Sequence, residues 1–172
     1  MLELCAAFLL MCGPSPASAK AAPANPQIDY AGFKSLTESV DEYRRRRLVS
    51  WDQFAAAARQ KDVLILDARS ASAYAQGHIE GAVNLPFTDF TDESLAAVIG
   101  RADRPILIYC NNNFSNDVAP VQVKSVRLAL NIQTFINLVG YGYQNVRELN
   151  EVVDFNDSKV KWVKGPRLAR NN

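Results

Sequence analysis

The stretch ILIYCNNNFSND, residues 106–117, brings a cysteine to the end of an apolar run and follows it with three asparagines. A thiol is a useful nucleophile only as its thiolate, which a neighbouring cation, a helix N-terminus or a ring of backbone amides stabilises. The chain has one histidine, His78, set between glycines in GHIEGA. A Cys and His pair would have to use it, although a histidine in so tight a loop reads more simply as a structural hydrogen bond. No second histidine is present to complete a metal site, so no metal is expected. Backbone amides beyond Cys110 are therefore the expected activator.

The elements that must position this thiol alternate. VLILD at 63–67 and ILIY at 106–109 are short, continuously apolar runs, suited to strands covered on both faces. AVNLP at 82–86 and residues 145–148 read as further strands. LVSWDQF carries a helix start: Ser50 as N-cap, Gln53 completing a capping box and Val49 against Phe54 as a staple, with the helix over 51–60. SASAYAQG reads as a short helix closed by Gly77. TDESLAAVIG reads as a helix capped by Thr91 and stopped by Gly100, and 132–141 as another before a break at Gly142. Strands alternating with helices imply a single α/β domain with a mainly parallel central sheet flanked by helices. Sites in such sheets lie at the carboxyl ends of the strands, where Cys110 stands.

At 172 residues, 48% apolar and 22% charged, the chain is long enough to bury a core. A formal charge of +1 supplies none of the field that nucleic-acid binding uses, so no nucleic-acid partner is expected. The basic YRRRRL, with Arg44 to Arg47, and the basic tail at 164–172 read as solvated charge. Near the start, LELCAAFLLMCG is too short to span a bilayer, and Ala17 and Ala19 have the spacing of a leader cleavage site. Residues 1–19 are read as a secretory signal, although they carry Glu3 and no Lys or Arg. A lipoprotein site at Cys12 is the weaker alternative, because Met11 stands where a small residue is wanted. Residues 20–43 read as a linker or N-terminal arm and 44–163 as the domain. Cleavage after Ala19 removes Cys5 and Cys12 and leaves Cys110 as the one thiol of a secreted or periplasmic protein with no membrane attachment. Such a thiol is a liability unless it is buried or used.

LILDARSASAYAQGHIEGAVNLP, then ILIYC, then GYGYQNVREL together resemble the rhodanese family of sulfurtransferases, over about 100 residues from Leu48 to Leu149. The resemblance implies a parallel sheet flanked by helices and transfer of a sulfane sulfur through a cysteine persulfide, with no metal or organic cofactor. It matches Cys110 to the persulfide-forming cysteine. Asp67 and Arg69 match the acid and base of the first motif, a mainly structural pair that ties a strand end to neighbouring loops. His78 matches the histidine of a GHIxGA loop, in which Glu80 replaces the usual proline, and Leu85 and Pro86 match the NLP that closes the next strand.

The departures fall on the loop after the cysteine, where the family continues close to CxxGxRS. Asn113 stands in the glycine's place, Ser115 in the arginine's and Asn116 in the small residue's. The glycine is expected to turn the loop through positive φ, which asparagine tolerates best among residues with side chains. The amides of 111–115 are then expected to cradle the sulfur, and Asn111, Asn112, Asn113, Phe114, Ser115 and Asn116 to line the substrate site. Loss of the arginine removes a charge-assisted bond to an anionic donor, about 1 kcal/mol stronger than a neutral one, or roughly tenfold in affinity. Lys124 and Arg127, in an extra segment at 116–131, are candidates to replace it.

Three functions are compatible with these residues. The first is a sulfurtransferase or persulfide carrier that moves sulfur from a donor such as thiosulfate to a thiol or protein acceptor. The second is a binding module of the same fold that recognises a partner protein or a metabolite. The third, a Cys-based phosphatase or arsenate reductase, needs an arginine that the loop lacks before Arg127.

Overall fold

The computed structural model describes residues 25–165. The stretch expected to be a leader, 1–19 with Cys5 and Cys12, the first residues of the expected arm and most of the basic tail lie outside the described residues.

Strands β2 (Leu64–Asp67) and β5 (Ile106–Tyr109) are buried at every position. Their continuously apolar sequence leaves no face for solvent, so helices must cover both sides. Both join β1 (Leu48–Val49), β4 (Val83–Asn84) and β6 (Val146–Leu149) in a five-stranded sheet of order β1-β6-β5-β2-β4, parallel throughout.

Successive side chains along each strand face opposite layers. Leu64, Leu66, Ile106, Ile108 and Val146 pack with Leu95 and Ile99 of α4 (Asp92–Ile99) and with Phe135 and Leu138 of α5 (Leu130–Gly140). Ile65, Leu107 and Tyr109 pack with Phe54 and Ala57 of α2 (Trp51–Ala58) and Tyr74 of α3 (Ala71–Gln76). The polypeptide thus has two cores, one on each side of the sheet.

The helix starts are made by the residues that signal them in the sequence. Ser50 and Gln53 form a reciprocal capping box at α2, and Thr91 caps α4 with Ser94 as its partner. Gly100 ends α4 at φ 81°, a left-handed conformation that glycine adopts without strain. At the corner after α3, a Cβ on Gly77 would stand 2.2 Å from Trp162 Nε1, so only glycine fits beneath that ring. Helix α2 ends two residues before the expected 60, and α5 starts two before the expected 132.

Two features depart further. Most of the stretch read as a linker or arm, 20–43, belongs to helix α1 (Tyr30–Arg45), which runs on into the expected domain and whose N-cap Asp29 Oδ1 accepts from the Gly32 amide at 2.8 Å. It packs on α5: Val40 is buried and the Tyr43 ring lies 6.2 Å from that of Phe135. Its apolar stripe is narrow and its exposed face charged, so a count of apolar residues overlooks it. A second, two-stranded antiparallel sheet joins β3 (His78–Ile79) to β7 (Trp162–Val163). Among the described residues no helix is long and apolar enough to cross a membrane.

Candidate functional site

Cys110 follows β5 and shares the side of Ile106 and Ile108, facing the start of α5; it is 1% exposed. The residue before helix α5 is Ala129, whose methyl side chain can cap nothing, so the amides of Leu130 and Asn131 find no acceptor there. The sulfur takes that role. The amides of Asn131, Asn112 and Leu130 donate toward it. Burial nevertheless raises the thiol pKa, and the Glu148 charge adds to the rise, against the pull of the three amides. The cradle is therefore shared: the loop expected to form it supplies the amides of Asn112 and Asn113, and the start of α5, after the extra segment, adds those of Leu130 and Asn131.

The three asparagines have separate duties. Asn111 Nδ2 donates to Gln122 O at 2.9 Å. Asn112 holds the Lys124 peptide from both sides, Nδ2 donating to its carbonyl at 2.8 Å and Oδ1 accepting from its amide at 3.2 Å. These two residues fasten the extra segment back over the thiol loop. Asn113, buried in a single 3₁₀ turn with Asn111 and Asn112, accepts from the Cys110 amide at 2.9 Å and donates to Leu149 O and Glu151 O at 2.8 and 3.0 Å.

The positive φ expected of Asn113 is absent; among the described residues only Asp117, Lys161 and four glycines have it. Asn113 is present for its side-chain amide. Asn113→Gly is accordingly expected to destabilise as much as Asn113→Ala, by about 1–3 kcal/mol, because either leaves buried backbone groups unpaired. Urea unfolding measures this, and a neutral glycine variant would restore the turn explanation.

The remaining loop residues turn away from the sulfur. Phe114 is buried between Tyr109 and Trp162, with ring centroids at 5.9 and 5.0 Å. The Ser115 amide donates to Val153 O at 3.0 Å, and Asn116 Nδ2 donates to Asp154 Oδ1 at 2.7 Å. Lys124 and Arg127 are both exposed, and neither lines the cavity at Cys110. Lys124 instead borders a larger cavity of about 410 Å³, with Arg69, Asn111 and Asn112.

The cavity against Cys110 measures about 210 Å³, and its walls include Asn112, Asn113, Asn131, Arg44, Glu148 and Glu151. Arg44 Nε and Nη2 donate to the two Glu148 oxygens at 2.7 and 2.6 Å. Glu148 is 4% exposed, and burial raises its pKa against the bonds from Arg44 and Asn131. Arg44 is thus not the solvated charge expected of YRRRRL, whereas Arg45 and Arg46 are, in exposed pairs with Asp41 and Glu42.

Asp67 and Arg69 form a buried pair beside the site. Arg69 Nε lies 2.9 Å from Asp67 Oδ1, and its Nη2 lies 2.5 Å from Oδ2 and 2.8 Å from Gly77 O. Nη1 reaches Pro120 O at 3.4 Å, and the Tyr109 hydroxyl donates to Asp67 Oδ2 at 2.5 Å. The network joins the end of β2 to the corner after α3 and to the extra segment. His78 is buried elsewhere: Nδ1 sits 2.9 Å from Tyr74 O, and its ring stacks on that of Tyr74 with centroids 3.7 Å apart. It lines no wall of the Cys110 cavity.

The profile of the rhodanese-like domain matches residues 50–152. This chain belongs to the rhodanese-like family. The thiosulfate sulfurtransferase GlpE of Shewanella oneidensis is 36% identical over 73 residues, which make up 41% of this chain and 67% of that protein. Among solved structures, a rhodanese-like domain of the Alr3790 protein from Anabaena sp. aligns with TM-score 0.44 at 20% identity, covering 63% of this chain and 99% of that one. Wild-type EanB aligns with TM-score 0.44 at 23% identity, covering 64% of this chain and 24% of its own.

Three residues at the thiol of this rhodanese-like chain escaped the sequence reading: Arg44, Glu148 and Asn131. Arg44 lies outside the matched residues, on α1. Glu148 did leave a signal. In NVREL it falls two residues after Val146, on the inward side of a strand, where a charge needs a partner.

Proposed function

We propose that the chain is a rhodanese-like sulfurtransferase or persulfide carrier acting through a Cys110 persulfide. The observation that carries this reading is the sulfur at the end of β5, with the amides of Asn112, Leu130 and Asn131 directed at it. An anionic persulfide on that sulfur meets the same donors and the start of α5. The thiolate attacks the outer sulfur of the donor; the new S–S bond forms as the donor's bond to that sulfur breaks, and the electron pair leaves with the donor fragment, sulfite in the case of thiosulfate. A thiol or other nucleophilic acceptor then takes the outer sulfur and releases the Cys110 thiolate. The sequence relationship to GlpE supports this donor class. Incubation with thiosulfate is expected to add one sulfur atom to the intact protein by mass spectrometry, lost again on treatment with a thiol. A protein that gains no sulfur from thiosulfate or from any persulfide is not a sulfurtransferase.

The second reading is a binding module that recognises a partner protein or metabolite. It is favoured by a thiol that burial keeps protonated and by Ser115, in the place of an arginine, bound to Val153. Export rests on the sequence of residues 1–19 alone; sequencing the N-terminus of the protein from a secreting host is expected to find Lys20 first.

A further inference from the structure

The cavity against Cys110 has a charge pattern that sulfur transfer in itself does not require. Among the described residues on its walls there is one cation, Arg44, and both oxygens of Glu148 bind it. Glu151 adds a second carboxylate, whose Oε2 accepts from the Trp51 amide at 2.9 Å. The lining is therefore net negative, the reverse of a site that captures a small dianion. Asn131 supplies another element. Its Nδ2 donates to Asn113 Oδ1 at 2.9 Å, while its own Oδ1 is buried and accepts from nothing in the protein. A buried acceptor without a donor is costly unless a ligand brings one.

Resting on the sulfurtransferase reading, we propose that Glu148, held in place by Arg44, sets the charge class of the sulfur donor: a compact aminoalkyl persulfide whose ammonium is received by Glu148 and Asn131 Oδ1. A cavity of about 210 Å³ is below the usual range for drug-sized ligands and suits a donor of a few heavy atoms. A dianion such as thiosulfate meets two carboxylates there and an arginine already engaged. In the transfer, the Cys110 sulfur bonds to the outer sulfur of the persulfide and the donor's S–S bond breaks. The electron pair leaves on the aminoalkyl thiolate, which takes up the proton that Cys110 gave up. No oxidant or reductant is consumed.

Three probes of similar size separate charge from reactivity: aminoethyl persulfide, hydroxyethyl persulfide and thiosulfate. The readout is the rate at which the full chain gains one sulfur, followed by quenched mass spectrometry. The wild-type protein is expected to load about tenfold faster from the aminoethyl than from the hydroxyethyl persulfide, the difference between a charge-assisted and a neutral hydrogen bond. Glu148→Gln keeps the shape of the side chain and frees the Arg44 charge. It is expected to bring that ratio close to one and to raise loading from thiosulfate severalfold. The ratio of two donors on one protein cancels any general loss of folding or thiol reactivity. Equal wild-type rates from the two persulfides overturn the proposal, and this comparison stands even where the variant does not fold. An unchanged ratio in a folded Glu148→Gln protein overturns it as well. Absence of loading from all three probes is a different failure, that of the sulfurtransferase reading itself.

Discussion

Asp67→Ala is expected to lower the unfolding free energy by about 3–5 kcal/mol, the loss typical of a buried ion pair deprived of one partner. The side chains of Arg69 and Asp67 are 2% and 0% exposed, so the abandoned guanidinium has little access to water. Its bonds to Gly77 O and Pro120 O do not replace a counter-charge, and Tyr109 loses its acceptor at the same time. For a chain of this size the loss corresponds to roughly 10 °C in melting temperature. Replacing both partners, Asp67→Leu with Arg69→Met, is expected to recover much of it, because the stranded charge is then gone. Thermal and urea unfolding of the two variants test this. A loss below about 1 kcal/mol for Asp67→Ala would mean that Arg69 swings out to solvent and that the pair does not hold the corner after α3.

Cys110→Ser is expected to abolish gain of sulfur from every donor while leaving the fold in place. The hydroxyl fits the space of the thiol and can accept from the amides of Asn131, Asn112 and Leu130, so stability should change little. In the wild-type protein the pH profile carries the signature of the buried thiol. Its pKa is raised, first by burial and then by the Glu148 charge, so the thiolate is a small fraction at neutral pH. Loading should therefore rise about tenfold per pH unit through neutrality and level off only in the alkaline range, where the thiol is fully ionised. Glu148→Gln removes one of the causes that raise this pKa, and the plateau should move to lower pH. Sulfur loading that survives in Cys110→Ser would place the chemistry on another group, and a profile flat from neutral pH upward would mean that the thiol is already ionised in the resting protein.

Much of the fold is legible in local sequence because local physics decides it. The apolar runs 63–66 and 106–109 suit strands covered on both sides, and β2 and β5 pair in parallel at the centre of the sheet. Ser50 with Gln53, and Thr91 and Gly100 at either end of α4, cap and stop helices through contacts a few residues apart. Asn113 was misread for an instructive reason. An asparagine in a glycine's place suggests tolerance of positive φ, yet the side-chain amide decides its role, and its partners Leu149 and Glu151 belong to a distant strand and the loop after it. Arg44 was misread for a similar reason: of four consecutive arginines, the chain alone cannot say which will face a buried carboxylate.

By itself, the sequence determined an α/β domain, a thiol at the carboxyl end of a central strand and, through its resemblance to the rhodanese family, a structural pairing of Asp67 with Arg69. Those features follow from hydrophobic runs, capping residues and motifs contained in short stretches. Only the tertiary structure decided what surrounds the thiol. Parallel pairing of β5 with β6 places Glu148 next to Ile108, and so close to Cys110, while packing of α1 on α5 swings Arg44 onto that carboxylate. The extra segment leaves the loop and returns to it, so that the first amides of α5 reach a sulfur far from them in sequence. Contacts of this kind depend on how whole layers stack, which no local pattern encodes.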